Sequence, residues 1–354
     1  MTDPGPPLER YHAKRDFART PEPSGAEPSE APEGAPRFTV QQHDATRLHW
    51  DLRLERDGVL ASWALPRCLP LRPDDNHLAV HTEDHPIEYL SFEGDIPEGE
   101  YGAGHMFVWD TGWYQTEKWE PKKAVVVLHG ERARGRYALF ETRGRDWIIH
   151  RMDPPEDPTR EPVPTDLRPM LATPGPAPED DAWAWEVGWS GLRTIIAAST
   201  GAVDLFDADG RTVSQAFPEV RRIGRALGSV EVVLDSLLVP TNGDRASIDR
   251  RLAAASESAV RRLARDQPAA AVLFDVLWFD GHPILEAPWT DRREQLEDLK
   301  LDGPAWRTPS AHPGDGQALL AAARLQGLDG LIAKRLDSPY RPGEASPDWV
   351  EVTP

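Results

Sequence analysis

The 354-residue sequence is poor in cysteine, in lysine and in unbroken apolar runs. Its single cysteine, Cys68, excludes an intramolecular disulfide framework. No apolar stretch approaches the roughly 20 residues that a membrane helix requires. The opening MTDPGPPLERYHAK has no apolar core of a signal peptide. These absences lead us to expect a cytoplasmic protein with no membrane partner. Positive charge is also scarce: 40 Lys and Arg against 59 Asp and Glu give 40 − 59 = −19. Chains that hold nucleic acid by non-specific electrostatics are usually basic, so that class is disfavoured. A pocket that handles phosphate is not excluded, because it needs only a few local arginines. Lysine occurs only at 14, 118, 122, 123, 300 and 334, so any chemistry that requires an amine has few residues to draw on.

What is present fits a folded chain of two domains: 39% hydrophobic residues and thirteen tryptophans. Residues 1–36, rich in Pro, Glu, Ser and Gly, contain TPEPSGAEPSEAPEGAP, which cannot build a core, and read as a largely flexible arm. Residues 37–153 carry short runs (FTVQ, LHWDLRL, VLASWAL, HLAVHT, HMFVWD, AVVVLHG, RYALFET, DWIIHRM) separated by turn signals, which predicts an all-β barrel or sandwich. Residues 154–178 are dense in proline and read as a linker. Residues 179–354 mix hairpin-like strands with helical stretches and predict an α+β domain. ASIDRRLAAASESAVRRLARDQ reads as its clearest helix.

The segment QHDATRLHWDLRLERDG concentrates the chemistry. From His49 it alternates, with His49, Asp51, Arg53 and Glu55 polar and Trp50, Leu52 and Leu54 apolar, so a strand here lines one face with polar groups and buries the other. Asp57-Gly58 reads as a tight turn into a returning strand. His43, His49 and Asp51 offer nitrogen and oxygen ligands suited to Mn²⁺, Zn²⁺ or Fe²⁺, with positions left for water and substrate. Arg53 follows on the same face with a fork suited to phosphate, and His85 can bind or protonate a phosphoryl oxygen. The spacing H-x5-H-x-D is not diagnostic alone, and unrelated histidines remain the alternative. The glycine-rich IPEGEYGAG lacks the lysine of a P-loop and reads as a structural loop.

Tyr11 to about Asp153 resembles the 3′-phosphoesterase domain of bacterial DNA ligase D. The resemblance runs through KRDFARTPEP, FTVQQHDATRLHWDLRLERDGVLASWALP, LAVHTEDHPIEYLSFEGDIPEGEYGAGHMFVWD and WIIHRM. It implies a compact β-barrel that uses a manganese-type ion to trim 3′-phosphates and 3′-ribonucleotides from DNA ends. It also implies His43, His49 and Asp51 as metal ligands, with Arg53 and His85 on the scissile phosphate. Gln41, Glu83 and Tyr89 match further active-site positions, as do Arg15, Asp16 and Glu22 of the arm, which makes 11–22 an active-site segment. Arg67 stands where that family has a lysine, and His77 where it has a basic residue.

From about Pro169 the chain resembles the adenylation domain of ATP-dependent DNA ligases, through LRPMLA, WAWEVGWSGLR, VVLDSLLV, FDVLWFDG, DGLIAKR, SPYRPG and DWVEV. That nucleotidyltransferase-like family forms a lysine–AMP intermediate on K-x-D-G-x-R. Here Gly188 replaces the lysine and Ser190 the aspartate, while Gly191 and Arg193 remain. Asp235-Ser236-Leu237 stands for the acidic D-G-E. Lys334 survives, Asp329 replaces a glutamate, and Glu351 and Thr353 replace lysines. The resemblance therefore implies a ligase-like domain that is inactive and does not use ATP. The expected partners are DNA 3′ ends and, in a bacterial nucleoid, Ku and a separate DNA ligase. A non-catalytic accessory or scaffold protein at DNA ends is the alternative.

Overall fold

The structure is a computed structural model describing residues 8–25, 34–45, 47–154, 156–242, 245–314, 316–326 and 330–353. It divides into two compact units, Met1–Pro158 and Thr159–Pro354.

In the first unit, nine strands alternate along the chain: β1 (Arg37–Asp44), β2 (Leu48–Arg56), β3 (Val59–Leu65), β4 (Asn76–His81), β5 (Gly94–Ile96), β6 (Gly104–Glu120), β7 (Lys123–His129), β8 (Arg134–Arg143) and β9 (Asp146–Arg151). Their order is β1-β2-β3-β4-β9-β8-β7-β6, and β6 pairs back onto β1, closing an eight-stranded antiparallel barrel. Closure removes the exposed sheet edges that invite association. β5 adds only to the rim of β6. The period-two pattern explains the interior: Phe38, Val40, Trp50, Leu52, Leu54, Trp63, Leu65 and Leu139 point inward and form one core. Asp57 (φ +51°) and Gly58 (φ +82°) make the expected turn between β2 and β3, where positive φ at both positions matches the twist of the strands.

The outer face of β1–β3 is buried as well. A short helical turn, Ile87–Ser91, and residues 8–25 lie across it. They share a second apolar cluster of Tyr11, Leu60, Ile87, Tyr89, Phe92, Ile96 and Met106. Within the predicted flexible arm, residues 8–25 are therefore packed on the barrel, because Tyr11 supplies an apolar anchor that the Pro/Glu-rich composition hides.

The second unit builds on β12 (Leu192–Ser199), β13 (Ala202–Asp207), β14 (Val232–Pro240) and β15 (Ala269–Phe279), ordered β13-β12-β14-β15 and extended by two-residue strands. A smaller sheet joins β10 (Leu171–Pro174) and β11 (Trp183–Val187) to the strands Leu331–Arg335 and Ala345–Val352. Helices such as Trp289–Asp298 and Gln317–Gln326 complete a mixed α/β domain. Two expectations need correction. The proline-dense 154–178 stretch is not a free linker beyond Pro158: Arg160 binds Glu231 and Asp280, Met170 is fully buried, and β10 pairs in parallel with Ala345–Val352. The long predicted helix is two, Ala246–Leu252 and Glu257–Asp266, because Ser256 caps the second by accepting from the Ala259 amide at 3.3 Å. Among the described residues no helix is long and apolar enough to cross a membrane.

Candidate functional site

Strand register brings the chemical groups together. In the β1–β2 ladder His43 lies opposite His49, Gln41 opposite Asp51 and Thr39 opposite Arg53; in the β2–β3 ladder Arg53 lies opposite Ser62. A bulge in the β1–β6 pairing falls between Val40 and Gln41, at the edge of this set. His43 Nδ1 and His49 Nε2 approach the two Asp51 oxygens at 3.7 and 3.9 Å. All three ligand atoms lie within 4.8 Å of one another, the one such cluster among the described residues.

The residues fit a divalent transition-metal ion. Each imidazole gives its other nitrogen to a backbone carbonyl: His43 Nε2 donates to Gly102 O at 2.8 Å and His49 Nδ1 to Arg47 O at 2.9 Å. Those carbonyls only accept, so each takes the hydrogen of one ring nitrogen and fixes the ring with its other nitrogen, His43 Nδ1 or His49 Nε2, turned towards Asp51. Ligand atoms about 2.0–2.2 Å from an ion stand roughly 3–3.5 Å apart, so a small inward shift of these side chains suffices. Burial pushes the Asp51 carboxyl up, but Arg53, His43 and His49 outweigh it and hold the group below the ordinary carboxylate range.

Arg53 is 2% exposed and is clamped from three sides. Its Nε donates to Gln41 Oε1 at 2.7 Å, Nη1 to Ser62 Oγ at 3.2 Å and Nη2 to Asp51 Oδ2 at 3.0 Å. Its guanidinium carbon lies 4.6 Å from the Tyr89 ring centre. Gln41 is itself fixed by donating to the carbonyls of Tyr89 and Phe92. Beyond it, Arg15 donates to Glu22 at 2.7 Å and to Glu83 at 3.3 Å, with Nη2 3.3 Å from His85 Nε2. Tyr89 donates to Glu22 through its hydroxyl.

His85 gives its Nδ1 hydrogen to Glu83 O at 2.8 Å. Burial, followed by Arg53 and Arg15, pushes its pKa well below the ordinary histidine value. Both the lowered pKa and the Arg15 contact favour an imidazole that accepts at Nε2, so of the two expected roles, binding near the phosphate suits this geometry better than protonating it. Two other expected residues stand apart. Asp16 is exposed and caps a turn, accepting from the Ala18 amide at 3.1 Å. Arg67 is exposed after β3 and makes no hydrogen bond or ion pair with this cluster among the described residues. His77 is buried with Nδ1 on Cys68 O. Glu55 belongs to an ion pair with Arg37 at 2.7 Å. The glycine-rich loop is structural, but it serves the site through the Gly102 carbonyl. Sequence reading missed Ser62, Lys14 and Tyr101; Lys14 binds Glu83 at 2.7 Å and Tyr101 Oη at 3.1 Å.

In the second unit a cleft of about 460 Å³ is lined by Gly188, Ser190, Arg193, Leu237, Phe274 and Glu351, among others. The Gly188 amide donates to Gly330 O at 2.8 Å, and a Cβ on Gly188 would stand 2.9 Å from that oxygen. Arg193 binds the fully buried Asp235 through Nη2, which lies 2.7 and 2.6 Å from the two carboxylate oxygens; Tyr340 donates to the same group at 2.9 Å. Lys334 pairs with buried Glu186 at 2.9 Å. Ser236 turns inward to Thr194, and Thr353 is exposed. Asp329 lies outside the described residues.

Residues 41–141 match the family described as the DNA Ligase D 3′-phosphoesterase domain, and residues 169–352 match the ATP dependent DNA ligase domain. The chain belongs to this class, a 3′-phosphoesterase domain followed by an ATP-dependent ligase adenylation domain. Over 97% of its length it is 41% identical to the multifunctional non-homologous end joining protein LigD of Mycolicibacterium smegmatis, covering 45% of that protein. It is 33% identical over 98% of its length to LigD of Pseudomonas aeruginosa, covering 47% of that protein. The chain thus spans about half the length of these relatives. Among solved structures it is similar to mycobacterial DNA ligase D complexed with ATP and MES, at 34% identity over 53% of this chain and 60% of that one, TM-score 0.45.

Proposed function

We propose that the chain is a manganese-type, metal-dependent 3′-phosphoesterase that trims 3′-phosphate or 3′-ribonucleotide ends of DNA during double-strand-break repair by end joining. The observation that carries this reading is the His43/His49/Asp51 set with Arg53 bound to its carboxylate. His43, His49 and Asp51 hold the ion, which when bound polarises a phosphoryl oxygen and acidifies a water. Arg53 uses three N–H groups on Gln41, Ser62 and Asp51, leaving two of a guanidinium's five to face the phosphoryl group. Its charge is preorganised, so little reorganisation accompanies the reaction. His85 Nε2 holds Arg15 Nη2 beside the site, and Arg15 steadies the phosphate oxygens. Arg15, Glu22, Glu83, Gln41 and Tyr89 orient this set.

The second unit acts without adenylation, and Ku and a separate ligase complete the repair. Gly188 offers no nucleophile, Arg193 and Lys334 are neutralised internally, and Leu237 contributes no carboxylate to the cleft. The test offers primer-templates ending in a 3′-phosphate or a 3′-ribonucleotide, with Mn²⁺ or with EDTA. Metal-dependent trimming that is abolished in His43→Ala is expected. Trimming by His43→Ala at the wild-type rate would overturn the site; no trimming by the wild type would favour a scaffold at DNA ends.

A further inference from the structure

We propose that Tyr101, braced by Lys14, forms a nucleobase subsite that holds the terminal ribonucleoside of a 3′ end. The inference deepens the phosphoesterase reading and rests on it. Tyr101 sits in the glycine-rich loop, between Gly99 (φ +92°) and Gly102 (φ +80°), whose backbone conformations are ones that side-chain-bearing residues rarely adopt. The next residue, Gly102, holds His43 through its carbonyl. Tyr101 is therefore one residue from the group that orients a metal ligand. Yet its side chain is 48% exposed, unlike the buried Tyr11 and Tyr89 of the same site.

The ring is held in place. Lys14 Nζ lies 3.1 Å from the hydroxyl and 4.4 Å from the ring centre, and the same ammonium is anchored on Glu83 at 2.7 Å. Arg15 stands 5.7 Å from the ring centre on its way to His85. A braced, half-exposed aromatic beside a phosphate pocket offers a flat apolar surface that water does not need and that a base can cover. Lys14, the cation nearest the ring, is paired with Glu83 and adds little free charge for the rest of the strand. With a net charge of −19, the chain gains little from general attraction to a strand. Stacking on one ring is tolerant of base identity and works in that setting. A ribonucleoside end brings a base next to the scissile phosphate. A bare 3′-phosphate has no base on the leaving-group side of that phosphate, so the subsite distinguishes the two substrates.

The experiment uses the full chain with Mn²⁺ on primer-templates that differ only at the primer end: a 3′-ribonucleotide, the same ribose lacking its base, and a 3′-phosphate. kcat/KM is measured for the wild type, Tyr101→Ala and Tyr101→Phe. Tyr101→Ala is expected to slow ribonucleotide removal about ten-fold or more, the scale of one lost base stack. It should change phosphate removal less than about two-fold, and Tyr101→Phe should retain the wild-type ratio. The wild type should cut the base-free end slower than the ribonucleotide end by the same factor. Equal losses on both ends in Tyr101→Ala, or a Phe variant as impaired as Ala, overturn the subsite while leaving the phosphoesterase intact. A wild type indifferent to the missing base does so even if both variants fold poorly. A wild type that cleaves none of the ends overturns the phosphoesterase reading itself.

Discussion

Arg53 donates from Nη2 to Oδ2 of Asp51 at 3.0 Å, so the side chain proposed to face phosphate is tied to one proposed to face the metal. The two lie two positions apart on β2, and both are buried although they leave the barrel core on the outer face. Arg53→Lys keeps the charge but loses the fork that spans Gln41, Ser62 and Asp51. Steady-state trimming of a 3′-phosphate end should fall roughly 10²-fold or more, mostly in kcat, as for loss of a preorganised donor to a developing charge. A Lys variant within a few-fold of wild type would mean that Arg53 contributes charge alone.

Metal affinity separates the triad from its surroundings. His49 is partly exposed and its loss leaves the barrel core intact, so His49→Ala should fold normally. Calorimetric titration of the metal-free chain with Mn²⁺ should show one site, weakened at least 10-fold in His49→Ala and in His43→Ala. Unchanged affinity in both variants would remove the triad from consideration.

The face that carries these ligands was legible in the sequence because strand periodicity is local. His49, Asp51 and Arg53 alternate with Trp50, Leu52 and Leu54, and the Asp57-Gly58 turn sets the partner strand. The arm's role came only from resemblance, since nothing in YHAKRDF says where it docks. Lys14 meets Tyr101 across 87 positions and Glu83 across 69, contacts that no spacing rule reaches. Ser62 was missed for a similar reason: a serine in a strand looks like any small polar residue until Arg53 lies opposite it. Residues 159–174 failed differently. Their prolines suggested a spacer, but proline also suits an extended segment docked on a surface, which is what Met170 and β10 make of it.

The buried, neutral His85 makes stability depend on pH in a defined direction. Burial and the flanking Arg53 and Arg15 lower its folded-state pKa well below its value in the unfolded chain. Above the unfolded value, about 6.5, neither state binds the proton and stability is unaffected. As pH falls below it, the unfolded chain takes up a proton that the folded site refuses, and stability declines. His81, lowered by burial and then by Arg145 and Arg10, acts in the same sense. The melting temperature of the metal-free chain should therefore drop between pH 7 and pH 5, and less steeply in His85→Gln. An identical slope in the variant would show that His85 titrates normally.

Restoring the missing nucleophile should not restore ligase chemistry. In the second unit the Gly188 amide bonds to Gly330 O at 2.8 Å, and any Cβ at 188 would stand 2.9 Å from that oxygen. A lysine there must push two backbone segments apart before its amine can reach the cleft, an overpacking cost of about 1–3 kcal/mol. Even then its surroundings are wrong. Arg193 is held by Asp235, Lys334 by Glu186, and Leu237 and Glu351 line the cleft at the positions where the resemblance to ligases implies a carboxylate and a lysine. Incubation of Gly188→Lys with α-labelled ATP and divalent metal should leave no acid-stable AMP on the protein, as for the wild type. A labelled Gly188→Lys band would show that the cleft still binds ATP in a reactive geometry and lacks only its lysine. A labelled wild-type band would place a working nucleophile elsewhere in the chain and overturn the proposal that this domain is silent.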